Sequence, residues 1–189
     1  ALITTPELPA LNLTNYCYAY MFSGTSITTT PNLPATTLSN NCYIGMFGYC
    51  SNIITVPTNL LPALDLTNAN SCYHTMFIGC TNLTNAPALP ATTLYASCYQ
   101  MMFYGCSNLE QLPVLPATAI VSSAYYWMFN GCSKIKISEN AVKITTAPTK
   151  TINREKCHRF FPQKGCFIFI WLLQAFDERR TCSYFHLKG

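Results

Sequence analysis

The chain has 189 residues, 50% apolar and only 10% charged, with a formal net charge of +4. By size it is one ordinary domain. Residues 1–138 carry only Glu7, Asp65, Glu110, Lys134 and Lys136, and every arginine lies beyond them, so no basic patch interleaved with aromatics is available for a nucleic acid.

The opening residues Leu2-Ile3-Thr4-Thr5-Pro6 match Ile27-Thr28-Thr29-Thr30-Pro31, so the chain is expected to begin inside a repeat, with any export signal upstream of it. The repeat itself is marked by Cys-Tyr-x-x-Met-Phe, which runs Cys17–Phe22, Cys42–Phe47, Cys72–Phe77 and Cys98–Phe103 and ends as Ala124-Tyr125-Tyr126-Trp127-Met128-Phe129. The methionines Met21, Met46, Met76, Met102 and Met128 stand 25, 30, 26 and 26 residues apart, a period of stacked supersecondary units. The third unit is longer by two residues before Leu61-Pro62 and two after it, insertions expected in loops.

The fourth unit gives the clearest local reading. Leu94, Cys98, Tyr99, Met102 and Phe103 fall at i, i+4, i+5, i+8 and i+9, which predicts one apolar stripe of a short helix with a threonine N-cap and Gly105 as its stop. Gly24, Gly79 and Gly131 hold the same stop, whereas the second unit inverts it to Gly48-Tyr49. The stretches that follow, such as Leu83–Pro87 and Leu109–Pro113, predict short strands pairing in parallel between units and ending at Pro6, Pro31, Pro57, Pro87 and Pro113.

Together Leu-Pro-Ala-Thr-Thr-Leu and Cys-Tyr-x-x-Met-Phe-x-Gly-Cys-Thr/Ser-Asn-Leu resemble bacterial leucine-rich repeats of the surface-antigen (BspA-like) type over residues 1–138. The resemblance implies an α/β leucine-rich-repeat-like solenoid, with short parallel strands on one face and short helices on the other. It also implies an extracellular or cell-surface module for adhesion or protein binding. The chain departs from the pattern at Thr25, at Ala124 and throughout residues 139–189.

Cysteine supplies two repeat positions, Cys17, Cys42, Cys72 and Cys98 before the methionine and Cys50, Cys80, Cys106 and Cys132 after it. Eight residues of helix would separate a unit's two cysteines by about 12 Å, against roughly 4.4–6.8 Å between disulfide Cα atoms, so a bridge must cross units. One connectivity, Cys17–Cys50, Cys42–Cys80, Cys72–Cys106 and Cys98–Cys132, uses all eight and accounts for the absences at Thr25 and Ala124. Two ladders of buried free thiols are the favoured alternative.

Binding is expected at variable positions. On the strand side these are Thr29, Thr55, Asn85 and Gln111, and on the helix side Tyr20, His74, Gln100, Tyr104 and Trp127, where exposed aromatics suit an interface. Single solvated residues are the plainer reading of each. No catalytic constellation is present: His74 is the one histidine of the repeats, and Glu7, Asp65 and Glu110 occupy three different unit positions. Leu-Pro-Ala-Thr-Thr at residues 33–37 and 89–93 lacks the glycine of a sorting signal, and the sequons at Asn12 and Asn82 read as repeat elements.

Residues 139–189 share no phrase with the repeats. Cys157, His158, Cys166, Cys182 and His186 lack the close cysteine pairs of a structural zinc site, so no metal and no cofactor is expected. The apolar run Cys166–Phe176 is too short for the ~20 residues of a membrane span. A cap on the last repeat, a membrane-surface segment and non-native sequence from a shifted reading frame all fit, and the break in composition near Thr149 favours the last. The functional expectation is a non-catalytic adhesion or interaction module taking a protein or glycan on a host or neighbouring cell. A receptor-binding fibre segment of a phage or mobile element and a structural spacer are the alternatives.

Overall fold

The computed structural model describes residues 4–119 and 121–135. Among them there is no helix, and the only β pairing is two isolated parallel bridges, Asn12 with Thr37 and Asp65 with Thr93. The expected α/β solenoid of strands and helices is therefore corrected: each Cys-Tyr-x-x-Met-Phe phrase forms a ribbon of overlapping β-turns.

The ribbons cover residues 14–25, 39–50, 69–80, 95–106 and 121–132. In the first, the amides of Cys17, Ala19, Met21, Ser23 and Thr25 donate to the carbonyls three residues back, at Thr14, Tyr16, Tyr18, Tyr20 and Phe22. The other four repeat this with their own residues. Left-handed φ recurs every fourth residue, at Tyr16, Tyr20 and Gly24 in the first ribbon and at Ser97, Met101 and Gly105 in the fourth. Each falls third in a four-residue turn, the mark of type II, and the intervening turns lack it. Type II and non-left-handed turns thus alternate.

The remaining amides point out of the ribbon and join it to the next. Tyr16, Tyr18, Tyr20, Phe22 and Gly24 donate to Asn40, Cys42, Ile44, Met46 and Gly48, and the same five bonds recur at each of the four junctions, 2.6–3.1 Å long. Local turns therefore satisfy half of the donors and the neighbouring unit the other half, which is how backbone without helix or sheet can be buried.

Residues alternate two in and two out. The inward pairs build the core, with Cys42, Tyr43, Met46, Phe47 and Cys50 all at 0–1% exposure, as are their counterparts in the third and fourth units. Tyr18, Tyr43, Tyr73, Tyr99 and Tyr125 stack at 5.5–5.8 Å between ring centroids, and Phe22, Phe47, Phe77, Phe103 and Phe129 at 5.4–5.8 Å. Such pairs contribute ~0.5–1.5 kcal/mol beyond the area they bury. Ile27, Ile53, Leu83 and Leu109 close the core beyond each ribbon.

The expected strands do not form. Thr84 donates to Ile54 and Glu110 to Thr84, but with Pro87 and Pro90 three residues apart the segment has too few amides to carry a ladder. The insertions of the third repeat lie at exposed turns, Thr58-Asn59 and Thr67-Asn68. Tyr49 takes the left-handed position (φ 61°) that glycine takes in the other units, so the inverted Gly48-Tyr49 preserves the backbone. Readings of the segment beyond residue 135, its zinc-ligand types and the apolar run Cys166–Phe176 included, fall outside the described residues.

Candidate functional site

The outward pairs of the ribbons form the face on which recognition chemistry gathers. Tyr16, Tyr20 and Tyr49 are its most open aromatics, 56–62% exposed, and all three stand at left-handed φ. Two are seated on glycines: the Tyr20 ring fills the space where a Cβ of Gly45 would stand, and the Tyr49 ring does the same at Gly79. In each case the glycine holds the next unit's place in the tyrosine's own row, so the small residue makes room for the ring above it. Further along, Gly79, Gly105 and Gly131 stack directly on one another.

At the other end, Trp127 stacks on Tyr126 at 5.0 Å and meets Tyr104 at 6.1 Å, a half-buried aromatic cluster across the fourth and fifth units. His74 and Gln100 are half-buried beside these rows, and burial lowers the pKa of His74, favouring its neutral form. The residues expected in a single helix-side row therefore occupy three adjacent rows of one turn-ribbon face: His74 and Gln100 in one, Tyr20 and Trp127 in the next, Tyr104 in a third.

The strand-side row is split as well. Thr29, Thr55 and Gln111 are exposed, but the Asn85 amide is occupied: its Oδ1 accepts from the Val56 amide at 3.1 Å and its Nδ2 donates to the Val56 carbonyl at 2.9 Å. Asn85 is a fastener between units. Asparagines elsewhere do similar work: Asn15 and Asn40 accept from the amides of Asn40 and Asn70, and Asn52 and Asn82 donate to the carbonyls of Ser26 and Ser51.

All eight cysteines of the ribbons are free thiols, in two rows along opposite edges of the stack. The rows are separated along each ribbon by the tyrosine, methionine and phenylalanine of the core, so the structure brings same-row cysteines together and not the cross-row pairs Cys17–Cys50, Cys42–Cys80, Cys72–Cys106 and Cys98–Cys132. Each downstream thiol donates to the phenylalanine carbonyl of the unit before it: Cys50 to Phe22, Cys80 to Phe47, Cys106 to Phe77 and Cys132 to Phe103, at 2.9–3.1 Å. Burial pushes the thiols of Cys42, Cys80 and Cys132 up to about 12 and that of Cys98 to about 11, with Cys72 and Cys106 also well above the usual range. These are protonated, unreactive groups at neutral pH.

Among the described residues no three His, Cys, Asp or Glu side chains are placed to hold a metal, and no helix is long and apolar enough to cross a membrane. A recess beside the third repeat's insertion, lined by Thr58, Asn59, Leu61, Pro62, Leu64 and Ala88, brings no titratable group to its wall. The Tyr20–Gly45 and Tyr49–Gly79 pairs were missed from sequence. Their signal was a glycine in each row directly after a bulky aromatic, visible only once the register of left-handed positions is known. No family model, curated protein or solved structure matches the chain.

Proposed function

We propose that this chain is a non-catalytic extracellular module that binds a protein or glycan on a host or neighbouring cell through the outward face of its turn ribbons. The observation that carries the reading is the set of open tyrosines, Tyr16, Tyr20 and Tyr49, fixed on a backbone whose conformation is locked by inter-unit hydrogen bonds. Tyrosine offers a large amphipathic surface at low entropic cost, and a rigid seat lowers that cost further. The resemblance of its repeat phrase to bacterial surface antigens supports the extracellular placement. With so few charges on the repeats, recognition rests on stacking and hydroxyl hydrogen bonds rather than long-range attraction.

A glycan array and a panel of extracellular-matrix proteins, probed with the full chain and with the Tyr20→Ala/Tyr49→Ala double variant, test this. Binding that falls at least about tenfold in the double variant, as expected for a hot-spot pair, supports the reading. Binding indifferent to both tyrosines, or no binding by the folded chain, rejects it. The second result favours a spacer, a reading to which the regular stack of backbone-bonded units lends itself.

A further inference from the structure

The two cysteine rows have a property that neither row shows alone. The downstream row lacks its cysteine in the first unit, at Thr25, and the upstream row lacks its cysteine in the last, at Ala124. Within these five units each row holds four thiols, so joining neighbours among them consumes all eight in one way only. That pairing places Cys17–Cys42 at the first junction, Cys50–Cys80 at the second, Cys72–Cys98 at the third and Cys106–Cys132 at the fourth. Every junction would receive one bond.

The structure gives a direct measure of same-row reach. Thr25 stands where a fifth downstream cysteine would, and its Oγ1 lies 3.6 Å from Cys50 Sγ. Hydrogen-bonded backbones at each junction hold equivalent residues about one strand spacing apart, roughly 4.8 Å, inside the Cα separation a disulfide accepts. Oxidation would withdraw the downstream thiols from the phenylalanine carbonyls. Those carbonyls keep other partners, since Phe22, Phe47, Phe77 and Phe103 also accept from the amides of Thr25, Cys50, Cys80 and Cys106.

We propose that the cysteine rows are a covalent modification site, oxidised along the stack into four same-row disulfides that staple each unit to the next. Each bond forms by exchange with a small-molecule disulfide: two protein thiols become one protein disulfide, and the reagent's S–S bond takes up the two electrons and two protons to leave as two thiols. Burial in the finished stack keeps most of the thiols protonated and covered, so the exchange belongs to assembly of the units. An oxidising extracellular compartment, as in the function proposed above, would supply the reagent. The experiment supplies its own and is independent of any binding partner.

The full chain is refolded from reduced denaturant with a mixture of reduced and oxidised glutathione, quenched in acid and mapped by peptic digestion and mass spectrometry without reductant. Pepsin is required because no lysine or arginine precedes Lys134. The expected peptides are Cys17–Cys42, Cys50–Cys80, Cys72–Cys98 and Cys106–Cys132. Cross-row peptides such as Cys17–Cys50, or eight unmodified thiols in the refolded chain, would overturn the proposal. A Cys50→Ser variant should leave Cys80 as a free thiol with the other three bonds intact, and transfer of Cys80 to any other partner would count against it.

Discussion

Removing a polar atom should stabilise this protein. Tyr73 and Tyr99 are 1% exposed, and their hydroxyls are sequestered from solvent with no hydrogen-bond partner. A hydroxyl taken from water without compensation costs ~1–3 kcal/mol in proteins. Tyr73→Phe deletes that cost and keeps the ring, so the stacks on Tyr43 at 5.8 Å and Tyr99 at 5.5 Å survive. The expected gain is ~1 kcal/mol or more, read in urea as a higher midpoint at unchanged slope and in heating as a rise of about 3–5 °C. Tyr43→Phe is the control: its hydroxyl is not among the sequestered ones, and the change should stay within ~0.5 kcal/mol. The rings of Tyr73 and Tyr99 touch, so the double variant need not sum the singles. A loss of 1 kcal/mol or more in Tyr73→Phe would refute the reasoning, because it would mean that the hydroxyl is paired in solution.

Alkali should unravel the reduced stack. Burial raises the folded-state values of Cys42, Cys80, Cys98 and Cys132 to about 11–12, above the ordinary thiol, so their contribution is complete below about pH 8.5 and is lost as pH climbs towards 12. Urea midpoints should be flat from about pH 7 to 8 and fall steeply from about pH 9 to 10.5, by up to ~1.4 kcal/mol per thiol per pH unit; a flat profile across that range would contradict the burial of these groups. Gly45→Ala should cost ~1–2 kcal/mol through left-handed φ, plus displacement of the Tyr20 ring, and the loss measured by thermal melting should shrink in a Tyr20→Ala background. An equal loss in both backgrounds would show that the ring does not rest there. Asn85→Ala removes both bonds to Val56 and should lower stability by ~1–2 kcal/mol, whereas Thr55→Ala at an exposed site should change the urea midpoint little.

The repeat was legible in the sequence because its core is written in fixed letters. Cys, Tyr, Met and Phe recur in register, and those inward positions are the ones the structure buries. The local conformation was not legible, for a geometric reason. A ribbon that turns every four residues and a helix that turns every 3.6 differ by about 10° per residue, roughly 80° over the eight residues from Cys98 to Cys106, within the width of an apolar stripe. Side-chain spacing alone cannot separate them. The informative residues were elsewhere: Ser71, Ser97 and Ser123 in one row, and Gly79, Gly105 and Gly131 in another, stand eight residues apart within each unit at left-handed positions. A helix does not call for such residues in its interior. Among the expected binding residues, composition could not reveal that the Asn85 amide is consumed by Val56, since that bond depends on a unit 29 residues away.

Ten of the fifteen left-handed positions in the ribbons are occupied by residues other than glycine, Tyr, Met and Trp among them. Each costs ~1–2 kcal/mol, so an isolated ribbon would not hold its shape. The offset comes from outside the ribbon: five inter-unit bonds at about 1 kcal/mol each are of the same order as three left-handed residues, leaving the two aromatic stacks and the buried area to decide the sign. A unit therefore exists only because its neighbours do, and its stability resides in the junctions. Among the described residues, nothing covers the outer side of the first ribbon. No amide of the described residues reaches the carbonyls of Asn15, Cys17, Ala19, Met21 and Ser23, and Cys17 and Met21 are exposed where the equivalent residues of the middle units are fully buried. One covalent bond at each junction, as the cysteine rows permit, would act where this architecture is most dependent on help, and Cys17–Cys42 would fasten its most open unit.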